Sequence, residues 1–228
     1  KPGYQGGSPF EIHVRRGGTF DLTGVNVQAF GLAVDVDEGG VFLGPTTLAF
    51  GEAQKGHRLI VAGKATLPTG FDVREAAWNP AMAIVLEPTG QLTLGGPVAK
   101  NGRKMNLSVT LKGGRINVAK STAFDVDEAV VAAGAKVNVA VAEGAMADFT
   151  AFACGDGVAV TKTGEGTLRF GKAPSGGLAI LEGGFVPPCD NGVPNFAGVT
   201  MAKGTRLVLG GEAMRIDRPE AWMGDVSF

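Results

Sequence analysis

Several kinds of residue are nearly missing from this chain of 228 residues. It has two histidines, two cysteines, two tryptophans and one tyrosine. With only His13 and His57, no histidine cluster can assemble a zinc centre. Neither charge sign is in excess: 21 Lys and Arg stand against 22 Asp and Glu, a net charge of −1. Binding phosphate needs clustered basic charge, so nothing in that balance points to a nucleic-acid or acidic-polymer partner. Val14-Arg15-Arg16 is the densest basic spot and reads as a solvated edge. No apolar run approaches the ~18 residues of a membrane span, so no membrane partner is expected. Neither a Gly-x-Ser-x-Gly elbow nor a phosphate-binding loop is present.

Glycine, by contrast, is abundant, with 37 residues, and it is periodic. GGTFDL (17–22), TGQLTL (89–94), GGRINV (113–118), GAKVNV (134–139), EGTLRF (165–170) and GTRLVL (204–209) superimpose without a gap. Weaker copies at Gly40, Lys64 and Gly184 fill the intervals, giving a mean spacing of about 23 residues. Apolar residues alternate within each copy, as in Leu92/Leu94 and Ile116/Val118, so one face is buried and one is wet. A second strand precedes the glycines, as in LAVDVDEGG (32–40) and LAILEGG (178–184). Each turn of chain thus reads as strand, Gly corner, strand, looser loop. The glycines serve corners where φ is positive.

Repetition at this period predicts a solenoid. The expected fold is all-β, a single right-handed parallel β-helix of about nine rungs spanning 1–228. It forms a rod on the order of 40 Å long at ~4.8 Å per strand. Residues 1–16 and 210–228 are expected to cap it. An antiparallel sandwich also uses short strands and Gly turns, but gives no reason for one hexamer to recur at near-constant spacing. The start at Lys1 and the close on GDVSF read as those of a piece excised from a larger protein.

VTKTGEGTLRF (160–170) resembles the autotransporter-associated β-strand repeat of exported bacterial β-helices, whose pattern is Val-Thr-Lys-x-Gly-x-Gly-Thr-Leu-x-Leu. Phe170 stands in the final apolar place. The close match covers one rung, and it implies a secreted, extracellular or cell-surface bacterial location. In size and repeat the chain is also similar to the β-helical carbohydrate-binding modules appended to xylan-degrading enzymes. That resemblance implies a non-catalytic module for plant cell-wall polysaccharide, xylan foremost, with a linked catalytic domain in the parent chain. The alternative is a structural or adhesive segment of an exported surface protein.

Sugar binding needs exposed flat apolar groups and polar side chains for hydroxyls. Trp78 falls in FDVREAAWNPA (71–81), the surplus of the longest regular rung, and this stretch reads as an excursion ended at Asn79-Pro80. Trp78 with Arg74 and Glu75 is the leading carbohydrate-binding candidate; the competing role is for Trp78 to cover the flank of the rod. Trp222 and Tyr4 are further candidates. Trp222 follows the final repeat and also suits a cap over an open end. Asp35, Asp37 and Glu38 in VDVDEG offer a Ca²⁺ site or an acid/base pair, or else a solvated face. Asp125, Asp127 and Glu128 form the other acidic spot. Gly56-His57-Arg58 reads as a loop whose His57 is the nearest thing to a base. No catalytic residues and no cofactor other than Ca²⁺ are expected. Cys154 and Cys189, both in Gly/Asp turns, are expected to form a disulfide, in keeping with export.

Overall fold

The structure is a computed structural model describing residues 10–29, 32–50, 57–76, 81–190, 193–194, 196–209, 212–215 and 220–222. It is a parallel β-solenoid, and among the described residues it contains no helix. Coils up to Ala153–Cys154 carry three strands, one more than the alternation of the hexamers reveals. The first face stacks Phe10–Val14, Leu32–Val36, His57–Val61, Ala81–Leu86, Asn106–Leu111, Glu128–Val131 and Ala153–Cys154. The second face runs from Thr19–Asp21 through Lys64–Leu67, Gly114–Val118 and Ala159–Thr163 to Val199–Met201. The third is made of two sheets, one from Asn26–Ala29 and Thr47–Phe50 to Phe124–Asp125 and one from Met146–Phe149 to Gly184–Val186 and Arg206–Leu209. Some third-face strands are only two residues long, such as Val98–Ala99 and Phe124–Asp125, too short for alternation to announce them.

About seven turns are complete, fewer than the nine expected. Among the described residues nine strands stack in parallel on the second face, whereas the first face ends at Ala153–Cys154. Later coils shorten accordingly: the second-face partners Val139 and Lys162 are 23 residues apart, whereas Lys162 and Ile180 are 18 apart. The hexamers also change face. Copies up to GAKVNV lie on the second face, whereas Thr167–Phe170, Gly184–Val186 and Arg206–Leu209 lie on the third. A strand after a Gly corner looks alike whichever face it enters, so the repeat alone does not identify the face. Register differs too. Ile116 pairs with Leu92 on one side and with Val139, not Val137, on the other, while Val137 pairs with Gly114. A slip of two residues keeps the same side chains inward, so hydrophobic alternation does not resist it.

Inward side chains form ladders along the rod. One runs Val14, Val36, Val61, Leu86, Leu111, Val131 and Cys154. Another runs Leu67, Leu94, Val118 and Val141. Under the third face Phe149 stacks on Phe152 and Phe170, with ring centroids 4.8 and 5.4 Å apart. Each fully buried aliphatic or aromatic side chain contributes roughly 1.5–3 kcal/mol by removal from water.

The paired glycines at a corner serve two different purposes. Gly39 has φ +79°, a left-handed turn, as expected. Gly40 does not adopt such a φ, but a Cβ there would lie 2.4 Å from the Val14 carbonyl oxygen of the preceding coil. Only hydrogen fits between stacked corners at that position.

At the C-terminal end the parallel pattern stops. Glu212–Arg215 pairs antiparallel with Arg206–Leu209, and Glu220–Trp222 pairs antiparallel with Val199–Met201. These reversals occupy strand edges that another coil would otherwise use. At the other end, Phe10–Val14, read from sequence as part of a cap, is the first strand of the first face.

Candidate functional site

On the first face, inward and outward residues alternate, and the outward ones form rows that cross the coils. Arg58, Ala83, Ser108 and Glu128 make one row. Ile60, Val85, Thr110, Val130 and Ala153 make the next. The second row is a flat strip of short, mostly apolar side chains. In the first row, small Ala83 and Ser108 lie between long Arg58 and Glu128. A trough of about 640 Å³ results, lined on its outward side by Ala81, Ala83, Asn106, Ser108, Asp127 and Glu128. It therefore combines an apolar floor with polar groups at one margin.

Beside the trough, charge is tightly paired. Arg58 donates from Nε and Nη2 to the two carboxylate oxygens of Asp35, each at 2.8 Å, and its Nη1 lies 3.5 Å from Glu11. His13 Nδ1 is 3.5 Å from Asp35. The Arg58 hydrogen bonds hold the Asp35 carboxyl below its ordinary range, and the same pairing raises Arg58. Such a bidentate fork is the strong form of a charged pair.

This arrangement does not gather Asp35, Asp37 and Glu38 as the Ca²⁺ alternative requires. Asp35 is taken by Arg58, while Asp37 lies beyond the strand end in the corner and is exposed. Glu38 lies 3.6 Å from Arg16. Strand alternation would keep Asp35 and Asp37 on one side, but the chain turns between them. Among the described residues, no three His, Cys, Asp or Glu side chains converge to hold a metal ion.

His57 is likewise not in a loop. It opens the strand His57–Val61 in the inward phase with Leu59 and Val61, and it is 2% exposed. Burial pushes its imidazole pKa down. Asp127 serves the backbone: it accepts from the Leu107 N–H at 2.9 Å and from Lys100 Nζ, whose hydrogen bond is the main cause of its lowered pKa.

Arg74 and Glu75 do not belong to an excursion. They lie within Phe71–Ala76, a third-face strand paired with Thr47–Phe50 and Val98–Ala99, the first of these pairings carrying a register irregularity. β-branched and aromatic residues at Phe71 and Val73 suit a strand, which the surplus length of the rung concealed. Trp78 and Tyr4 lie outside the described residues. Trp222 lies in Glu220–Trp222, its backbone opposite Val199.

Cys154 is a free thiol, so the expected bridge to Cys189 is not formed. Cys154 ends an inward ladder beside Val131, and Cys189 lies in a separate two-residue antiparallel strand pair with Val193–Pro194. Burial raises the Cys154 thiol. Titration of the denatured, unreduced protein is expected to count both thiols. In the native protein Cys154 should react slowly, since the thiolate is the nucleophile. A count of zero would restore the bridge.

One residue escaped the sequence reading altogether. Lys162 sits inside the solenoid, fully buried, between Val139 and Ile180 in an aliphatic ladder. Its Nζ donates to the Glu182 carbonyl at 2.7 Å and to that of Gly164. The signal lay in the alternation of Val160-Thr161-Lys162, which puts Lys162 in phase with inward Val160.

Comparison of the chain with protein-family models, curated proteins and solved structures found no match. Among the described residues, no helix is long and apolar enough to cross a membrane.

Proposed function

We propose that this chain is a non-catalytic carbohydrate-binding module of a secreted bacterial enzyme, taking plant cell-wall polysaccharide, with xylan the leading ligand. The observation that carries this reading is the first-face trough. Sugar rings offer flat C–H faces and peripheral hydroxyls, and the trough offers Ala81 and Ala83 to the one and Asn106, Ser108 and Glu128 to the other. Cleavage is disfavoured by the same residues. Glycoside hydrolysis needs two carboxylates about one bond, and Asp127 is already engaged by Lys100 and the Leu107 N–H, leaving Glu128 alone.

The likeness of VTKTGEGTLRF to the autotransporter-associated repeat supports an extracellular or surface location. The same likeness favours a second reading, a spacer or adhesive segment of an exported surface protein, which predicts no retention by glycans.

Affinity electrophoresis in gels containing xylan, with cellulose binding measured alongside, tests the proposal. Truncating an aromatic hot spot typically costs ~2 kcal/mol or more, so Trp78→Ala is expected to weaken xylan binding about thirtyfold with little change in Tm. Ala81→Arg, which fills the trough from an exposed position, is expected to do the same. If neither variant changes retardation, the trough is not the site. A wild-type protein that ignores both glycans would favour the spacer.

A further inference from the structure

The second face carries a different chemistry. Its outward row Lys64, Gln91, Arg115, Asn138 and Thr161 crosses five consecutive coils, one side chain per strand. Lys136 lies two residues from Asn138 on the same side of its strand. Between Lys64 and Thr163 every charged outward side chain of this face is a cation, and all three are exposed. The ion pairs among the described residues lie elsewhere: on the first face, on the third, or at corners such as Lys112–Glu87. None involves Lys64, Arg115 or Lys136.

Arg115 is also held in place. Its Nε donates to Asn117 Oδ1 at 2.9 Å, and Asn117 Nδ2 donates to Thr93 Oγ1 at 3.2 Å. This bracing lays the guanidinium along the sheet and leaves its terminal nitrogens for a partner. Orientation of the fork in advance lowers the ordering cost of an anion contact.

We propose that this face binds an acidic polysaccharide, an extended chain bearing uronate carboxylates, through Lys64, Arg115 and Lys136. The cations span three strand steps, ~14 Å at ~4.8 Å per step. A polymer with carboxylates at intervals matches that span, whereas one small anion meets a single cation. Gln91, Asn138 and Thr161 between and beside them supply hydrogen bonds for hydroxyls. A nucleic acid fits less well, because the row contains no aromatic platform for bases and the chain as a whole is at −1. The surface is separate from the first-face trough, so it stands or falls independently of the reading given above.

The test uses the full chain with polygalacturonate, and with fully methyl-esterified polygalacturonate as the same backbone without charge. Expected are retention by the acidic polymer, weakening as salt screens the contacts, and little retention by the ester. The triple variant Lys64→Gln, Arg115→Gln, Lys136→Gln should keep the wild-type Tm. It should lose about tenfold in affinity, a modest contribution from each of three exposed charge contacts. Trp78→Ala should bind the acidic polymer as the wild type does. Equal retention by acid and ester, an unaffected triple variant, or tighter binding of a single-stranded oligonucleotide would each overturn the proposal. Xylan binding lost in Trp78→Ala would leave the first-face reading intact in every one of those cases.

Discussion

Ile116→Asp is expected to prevent the central coils from forming. Ile116 is 1% exposed and stands between Leu92 and Val139 in an inward ladder. A carboxylate there loses its water and gains two aliphatic neighbours that cannot hydrogen-bond to it. A buried charge left without compensation costs about 3–5 kcal/mol, a large part of the ~5–15 kcal/mol that holds a domain together. In a solenoid each coil is held chiefly by its neighbours. The damage should therefore split the rod at its middle rather than fray an end. Ile116→Val, which removes one methylene and adds no charge, should cost only about 1 kcal/mol. Urea unfolding followed by circular dichroism would compare the two. A midpoint for Ile116→Asp close to that of Ile116→Val would mean that this position is not inside the coil.

The same ladder marks what the sequence made legible. Alternation at Leu92/Leu94 and Ile116/Val118 correctly predicts which side chains are inside, because a strand offers only two sides. It cannot say how many faces a coil has. Val98–Ala99 and Phe124–Asp125 add only two residues each to the third face, held by pairing with neighbouring strands rather than by any pattern of their own. Register is equally hidden, since Val137 and Val139 both point inward and alternation cannot choose which of them faces Ile116.

Charge was harder to place than hydrophobicity. VDVDEG suggested carboxylates gathered on one surface, but the partner that claims Asp35 is Arg58, 23 residues along the chain and one coil away. Such pairing is a property of stacking, visible only when the coil length is known to the residue. His57 shows the converse: preceded by a glycine it looks like loop chemistry, yet it shares the phase of Leu59 and Val61 and is buried with them. Trp78 stood out by its rarity and lies outside the described residues, whereas the trough depends on small residues at Ala81, Ala83 and Ser108 meeting across coils.

Lys162→Glu is expected to be as damaging as Ile116→Asp, for an electrostatic reason. The ammonium of Lys162 reaches from the aliphatic ladder to the carbonyls of Gly164 and Glu182, tying together the corners of successive coils. A carboxylate in its place would face those carbonyl oxygens, with Glu165 and Glu182 already contributing negative charge nearby. Loss of about 4 kcal/mol or more is expected. The native lysine should also leave a signature in the pH dependence of stability. Burial pushes its pKa down to about 8, against the opposing influence of Glu165 and Glu182, whereas in the unfolded chain it is about 10.4. Between those values the unfolded chain holds a proton that the folded one has released, so stability rises with pH through that window. The rise is on the order of 3 kcal/mol, and it is absent below pH 8, where both states are charged. Lys162→Met removes the titrating group and keeps a side chain of similar length. Unfolding free energies measured from about pH 7 to pH 11 should therefore climb less steeply in Lys162→Met than in the wild type. Parallel curves for the two proteins would place the Lys162 ammonium in water and not in the core.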